Sequence, residues 1–233
     1  MQKRKSHKGY IVAIDGPAGA GKSTVSKKLA ELLEGKLLDT GSMYRAVGYF
    51  VLNAETEVPA DWREIARRIE FDMDPETGIT LVNGDDLGAK IRTEEVGLKA
   101  SEVSQDFEVR KILTGRQRAI AKKWSRRFPI IVEGRDIGTV VFPKVRFKFF
   151  VTANHEIRAR RRYEQLKKQG TKGIKLASIL KQQEKRDQQD ANRRVAPLRC
   201  PKDAVVVDTS NLGINQVVQF MASHIQARSF PER

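Results

Sequence analysis

The chain has 233 residues, 39% of them hydrophobic and 31% charged, a mix that excludes a collagen-like or membrane-embedded protein and allows one or two domains around a sizeable core. Its net charge of +15 invites a nucleic-acid reading, but the excess is local: Met1–Tyr10 carries +4 and Arg146–Cys200 carries +11, which is all of it. The single cysteine, Cys200, excludes an intramolecular disulfide, and no apolar run approaches the ~20 residues of a membrane span, so a cytoplasmic protein is expected.

The first residues, 1–9, read as a solvated basic arm. Tyr10 to Ile14 is a continuous apolar run, as in a buried parallel strand. Lys22 to Leu33 reads as a helix with Val25, Leu29, Leu32 and Leu33 on one face, stopped by Gly35. Lys36–Asp39 is a second strand and Met43 to Leu52 a second helix. This β-α-β-α opening predicts a parallel sheet covered by helices.

The middle changes character. Val58–Asp61 breaks the chain and Trp62 to Ile69 is a short helix. Ile79–Val82 followed by Asn83-Gly84 predicts a hairpin with a type I′ turn. A small antiparallel piece inserted in an α/β domain accounts for this, and Glu94 to Lys123 returns to helix. Ile130–Glu133 and Phe147–Val151 are the next strands. Asn154 caps a helix to Lys168 closed by Gly170, and a second helix runs from Ile174 to about Gln188. Ala204–Asp208 is a last buried strand, Ile214 to Arg228 a closing amphipathic helix, and 229–233 a tail. The three histidines, His7, His155 and His224, are far apart, and no zinc site is expected.

One motif carries chemistry outright. Gly16-Pro17-Ala18-Gly19-Ala20-Gly21-Lys22-Ser23 fits G-x-x-x-x-G-K-[ST] between a buried strand and a helix, the context the motif needs. Glycines let backbone N–H groups turn toward phosphate oxygens, and the helix N-terminus adds its positive end. Lys22 is placed to span the β- and γ-phosphates of ATP, and Ser23, or Thr24 beside it, to offer a hydroxyl to Mg²⁺. A GTPase-type base reader of the N-K-x-D kind is not found. A small α/β domain with an inserted piece and an arginine-rich helical hairpin suggests phosphoryl transfer to a small anionic acceptor.

The sequence resembles the bacterial cytidylate kinases, a branch of the nucleoside monophosphate kinases, over Gly9 to Arg228. The segments that carry the resemblance are Ile14–Thr24, Leu38–Arg45, Ile91–Val96, Arg116–Arg118, Gly134–Pro143, Lys185–Asp187, Asp190–Arg193 and Val195–Leu198. It implies a parallel-sheet P-loop NTPase core (10–61 and 100–228) with helices on both faces. It also implies a nucleoside monophosphate (NMP)-binding insert with antiparallel strands at 62–99 and a helical arginine-rich lid at about 154–190. The implied reaction is ATP with CMP or dCMP to ADP with CDP or dCDP, by a monomer that needs Mg²⁺ and engages neither nucleic acid nor membrane.

The resemblance also assigns residues. Gly16 to Thr24 would bind ATP. Ser101, Arg110 and Asp136 would read the pyrimidine, Arg45, Arg135 and Arg193 would hold the acceptor phosphate, Arg186 and Asp190 would meet the ribose, and Thr40 would stand near the acceptor. Cytosine presents an N4 donor that suits the Asp136 carboxylate, whereas uracil would set two acceptors face to face. In the lid, Arg158 and Arg162 share one helical face, with Arg161 close behind and Arg160 turned away. Lys22, Arg135, Arg158 and Arg162 are the expected catalytic cations. Two positions depart from the family pattern: Glu133 stands where an aspartate precedes Gly-Arg-Asp and is given no role, and Ser23 stands where many relatives have glycine. The rival readings are a kinase of UMP or dTMP and a P-loop protein that binds nucleic acid through its basic stretch.

Overall fold

The computed structural model describes residues 9–54, 61–168 and 170–229. The arm at 1–8, the break at 58–60 and the tail from 230 onward lie outside the described residues.

Five parallel strands form the sheet: β1 (Ile11–Asp15), β2 (Lys36–Asp39), β5 (Ile130–Glu133), β6 (Phe147–Thr152) and β7 (Val205–Asp208), in the spatial order β2-β5-β1-β6-β7. β1 sits at the centre, and its side chains alternate between faces. Val12 and Ile14 pack with Val25 and Leu29 of α1 (Lys22–Leu32) and Met221 and Ile225 of α8 (Ile214–Ser229). Ala13 faces the other way, onto Met43 and Val47 of α2 (Thr40–Leu52) and Leu113 and Ile120 of α5 (Phe107–Trp124). Burial on both faces is why these strands read as apolar runs.

Local chemistry moves several boundaries. The left-handed residue that ends α1 is Glu34 (φ 49), not Gly35, whose N–H closes back on the Ala30 carbonyl at 2.8 Å. Gly35 is needed for space, because a Cβ there would meet the Pro129 carbonyl oxygen at 2.5 Å. α2 starts at Thr40 because the Asp39 side chain accepts from Ser42 N. Asn83 and Gly84 do take positive φ (52 and 88), as a type I′ turn requires. However, β4 (Thr80–Val82) pairs antiparallel with a strand before it, β3 (Phe71–Met73), and the chain beyond Gly84 adds only a Val82–Asp85 bridge. β3 is three residues long, with only Phe71 and Met73 turned inward, too short a run to signal a strand.

The expected helix 94–123 is two, α4 (Glu94–Val103) and α5, because Asp106 caps the second by accepting from Glu108 N and Val109 N at 2.9 and 3.0 Å. α4 also runs across residue 99, where the expected insert ends. α3 (Trp62–Arg68), β3, β4 and a 3-10 turn at Gly88–Arg92 precede it. β7 is not buried as expected: it is a sheet edge, and Val206 is 58% exposed while Val207 faces inward. α6 (His155–Lys168) begins after Asn154, whose side chain accepts from Glu156 N, and Gly170 follows with φ 78. α7 extends beyond Gln188, over Leu176–Asn192, which carries Asp190 onto its last turn.

Candidate active site

The loop from Gly16 to Gly21 leaves the carboxyl end of β1, in the crevice where open α/β sheets bind ligands. Gly16, Gly19 and Gly21 have φ of 148, 76 and 88, and a Cβ on Gly16 would strike the Val151 carbonyl oxygen at 1.9 Å, so no other residue fits there. Lys22 opens α1 with its ammonium buried and donating to the Pro17 carbonyl at 2.7 Å. Burial, and secondarily Arg135, lowers its pKa to about 7, against the pull of Glu133, Asp15 and Asp190.

Beside the lysine, Ser23 Oγ donates to Glu133 Oε1 at 2.8 Å. Glu133 ends β5 in the interior, and burial and then Asp39 push its carboxyl pKa up. Its second oxygen, Oε2, is buried with no hydrogen-bond partner among the described residues. Thr24 lies on the outer surface with Lys27, Lys28 and Glu31 around it, so the hydroxyl next to Glu133 is that of Ser23.

Across from the loop is a cavity of about 100 Å³, and all nine residues the resemblance assigned to the acceptor line it. One end is built on a buried ion pair. Arg110, from the first turn of α5, donates to Asp136 Oδ2 at 2.5 Å and to the Ser104 carbonyl at 3.1 Å. Its guanidinium lies 5.3 Å from the ring centroid of Tyr44, whose hydroxyl burial raises to a pKa of about 12. Ser101 closes this end from α4, and Asp136 pairs with Arg110 rather than with its neighbour Arg135. Arg193, just past α7, joins the two ends: its Nη1 lies 3.9 Å from Asp190 Oδ1, burial and then the charge of Arg110 lower its pKa, and its Nε and Nη2 are buried without partners among the described residues.

The other end is a cluster of arginines. Arg135 Nε donates to Asp190 Oδ2 at 3.0 Å. Arg186 has its pKa lowered to about 10, by burial first and then by Arg135, Arg45 and Arg162, while Asp190 opposes. Arg45 is held from behind by the Ile91 and Thr93 carbonyls, at 2.9 and 3.3 Å. Thr40 Oγ1 donates to the Glu133 carbonyl at 2.7 Å. Positive charge thus exceeds negative at this end, which suits a phosphate. Arg186, assigned to the ribose by resemblance, stands among these cations.

The lid arginines separate. Arg158 is buried, donates to the Ala18 carbonyl of the loop at 3.0 Å and pairs with Asp187 at 2.6 Å. Arg161 turns to Thr209, donating to its Oγ1 and carbonyl at 2.9 and 2.6 Å, and Thr209 in turn donates to the Ala20 carbonyl. Arg162 donates to Gln165, and its charge helps lower the pKa of Arg186 in the arginine cluster, while Arg160 is exposed. The expected pair Arg158 and Arg162 is therefore split, Arg158 bonded to the loop and to Asp187 and Arg162 to Gln165, and Arg161 takes its own route toward the loop through Thr209.

Three residues here were given no notice from sequence, Asp15, Tyr44 and Asp187, and Glu133 was noticed but given no role. Asp15 is the only one with an intrinsic signal, a carboxylate ending an apolar strand directly before the loop.

The family model for cytidylate kinase matches residues 12–227. A cytidylate kinase of Caldanaerobacter subterraneus subsp. tengcongensis is 45% identical over 210 residues, 89% of this chain and 91% of that one. Another, of Citrifermentans bemidjiense, is 44% identical over 224 residues, 94% of each. A solved structure of an uncharacterized protein from Eubacterium ventriosum covers 94% of this chain and is itself covered to 99%, with a TM-score of 0.53 at 12% identity, which speaks for the fold alone. Among the described residues no helix is long and apolar enough to cross a membrane. With a family match that spans both the phosphate loop and every wall of the acceptor cavity, the chain belongs to the cytidylate kinase family.

Proposed function

We propose that this enzyme transfers the γ-phosphoryl group of ATP to CMP or dCMP, giving ADP and CDP or dCDP, in pyrimidine nucleotide metabolism in the cytoplasm. The observation that carries the reading is the buried Arg110–Asp136 pair at the closed end of a cavity whose other end is crowded with arginines. The carboxylate suits the cytosine N4 donor, and the cations suit the phosphate. Residues 62–99 would serve as the acceptor domain and about 154–190 as the lid.

The acceptor phosphate is already an anionic nucleophile, so no covalent intermediate and no strong base is required. Lys22 would bind the β- and γ-phosphates, and Arg135, Arg158 and Arg162 would neutralise charge along the transfer path. Most of these side chains are already held by carbonyls or carboxylates, so little reorganisation accompanies the reaction. Ser23 Oγ and the partnerless Glu133 oxygen are hard donors of the kind Mg²⁺ takes, and these two residues would hold it. When bound, the metal neutralises charge on the β- and γ-phosphates.

The test is a coupled ADP-release assay with CMP, dCMP, UMP, dTMP, AMP and GMP. CMP and dCMP should lead, with UMP at least about tenfold lower in kcat/KM for its mismatched acceptor. Equal turnover of UMP would overturn the assignment of Asp136.

A further inference from the structure

Asp15 ends β1 one residue before the phosphate loop and is 1% exposed. Its two carboxylate oxygens are both used, and both by one short stretch of chain. Oδ1 accepts from Ile137 N and Oδ2 from Gly138 N, each at 2.7 Å. These two N–H groups open a single wide turn, Ile137–Val141, in which Val140 N and Val141 N close on the Asp136 carbonyl. Asp136 itself has φ −141 and ψ 24 and offers no cap to that turn. The cap comes instead from another strand, 122 residues away in sequence.

The first of the two N–H groups belongs to the peptide that joins Asp136 to Ile137. Its orientation sets ψ of Asp136, and with it the direction in which the Asp136 side chain leaves the backbone. The surroundings leave no slack, since a Cβ on Gly138 would sit 3.3 Å from Asp15 Oδ2 and 2.9 Å from Pro201, so the turn lies flush against the carboxylate. A carboxylate held by two backbone donors is a short, charge-assisted arrangement and leaves little play.

We infer that Asp15 is a positioning residue for the acceptor: it fixes the peptide after Asp136 and so aims the base-reading carboxylate, from a place that also begins the phosphate loop. The inference rests on the reading of Asp136 under Proposed function. It makes Asp15 a determinant of CMP-over-UMP preference that touches neither substrate.

The experiment compares wild type, Asp15→Asn and Asp136→Asn by kcat and KM with CMP and with UMP at saturating ATP, and by KM for ATP. Asparagine keeps the shape of Asp15 but sets an amide N–H₂ against a backbone N–H. Asp15→Asn should lower the CMP:UMP ratio of kcat/KM about tenfold, mainly through KM for CMP, and leave KM for ATP within about threefold. A lowered ratio in both variants supports the inference. An unchanged ratio in Asp15→Asn beside a lowered one in Asp136→Asn overturns it and leaves the Asp136 reading intact. An unchanged ratio in both overturns the Asp136 reading and the inference together. Should Asp15→Asn not fold, Asp15→Ser, a smaller side chain with one acceptor, is read by the same criteria. A lower Tm with an unchanged ratio marks a merely structural residue and also overturns the inference.

Discussion

The two halves of the cleft prepare for anions with different materials. The phosphate loop is backbone: consecutive residues, three glycines in the left-handed half of φ space, and one buried ammonium resting on a carbonyl. The acceptor half is side chain: guanidinium and carboxylate groups drawn from α2, α5, the end of β5 and the residues after it, and α7 and the residue after it. The loop's shape is set within one strand, one turn and one helix, though Arg158 and Thr209 brace its carbonyls from outside. The acceptor half exists only once the whole sheet and both helical layers are assembled. The loop is therefore expected to govern turnover of any acceptor, and the acceptor half to govern which acceptor is taken.

The largest effect tests that division. On the proposed role of Lys22 as the cation facing the transferred charge, Lys22→Met should lower kcat on the order of 10³-fold. Affinity for CMP, measured by calorimetry without ATP, should stay within about threefold. A loss of CMP binding as large as the loss of turnover would show that the halves are not separable.

Arg110→Met attacks the other side. It leaves the Asp136 carboxylate buried without its partner, which costs about 3 kcal/mol of stability and should appear in urea denaturation. KM for CMP should rise about 100-fold while KM for ATP holds, since two of the groups at the base end are disturbed at once. Equal losses for the two substrates would place Arg110 in the common frame rather than in recognition.

The same contrast explains what was legible in the chain. Gly16 to Ser23 could be read directly, because every requirement of a backbone anion site lies within one motif and its flanking elements. The inner strands were legible for a related reason: burial on both faces leaves unbroken apolar runs at 11–14 and 130–132, while the edge strand β2 shows only Leu37 and Leu38 between two charged residues. The acceptor residues had no signal of their own. Arg45 and Arg110 look like any exposed helical arginine, and Arg193 like any arginine after a helix, until the family pattern singles them out, because the contacts around them come from distant segments. The wide turn at Ile137–Val141 and the break between α4 and α5 were hidden because each is stabilised by a side chain whose role is tertiary or capping. Glu133 was given no role because it departs from the family pattern, yet its Oε1 accepts from Ser23 Oγ at 2.8 Å.

The smallest effect concerns Asp15, where the two halves meet. Burial raises its carboxyl pKa to about 6, although the N–H groups of Gly138 and Ile137 pull it down. Asp136 adds to the rise and Lys22 opposes it, Lys148 lies against the same glycine, and the Cys200 thiol is itself pushed up, first by burial and then by Asp15. The folded state therefore binds this proton more tightly than the unfolded chain, whose aspartates titrate near about 4. The resulting stability is full below about pH 4 and is lost as pH rises through about 6. Asp15→Asn has no such proton to lose. The stability of wild type relative to the variant should fall by roughly 2–3 kcal/mol between pH 4 and pH 7, read from urea denaturation at stepped pH. A constant difference would mean that the two N–H groups replace water fully at this carboxylate. A falling one means that near neutral pH the protein keeps a costly charge in its interior, as the proposed aiming of Asp136 by that carboxylate requires.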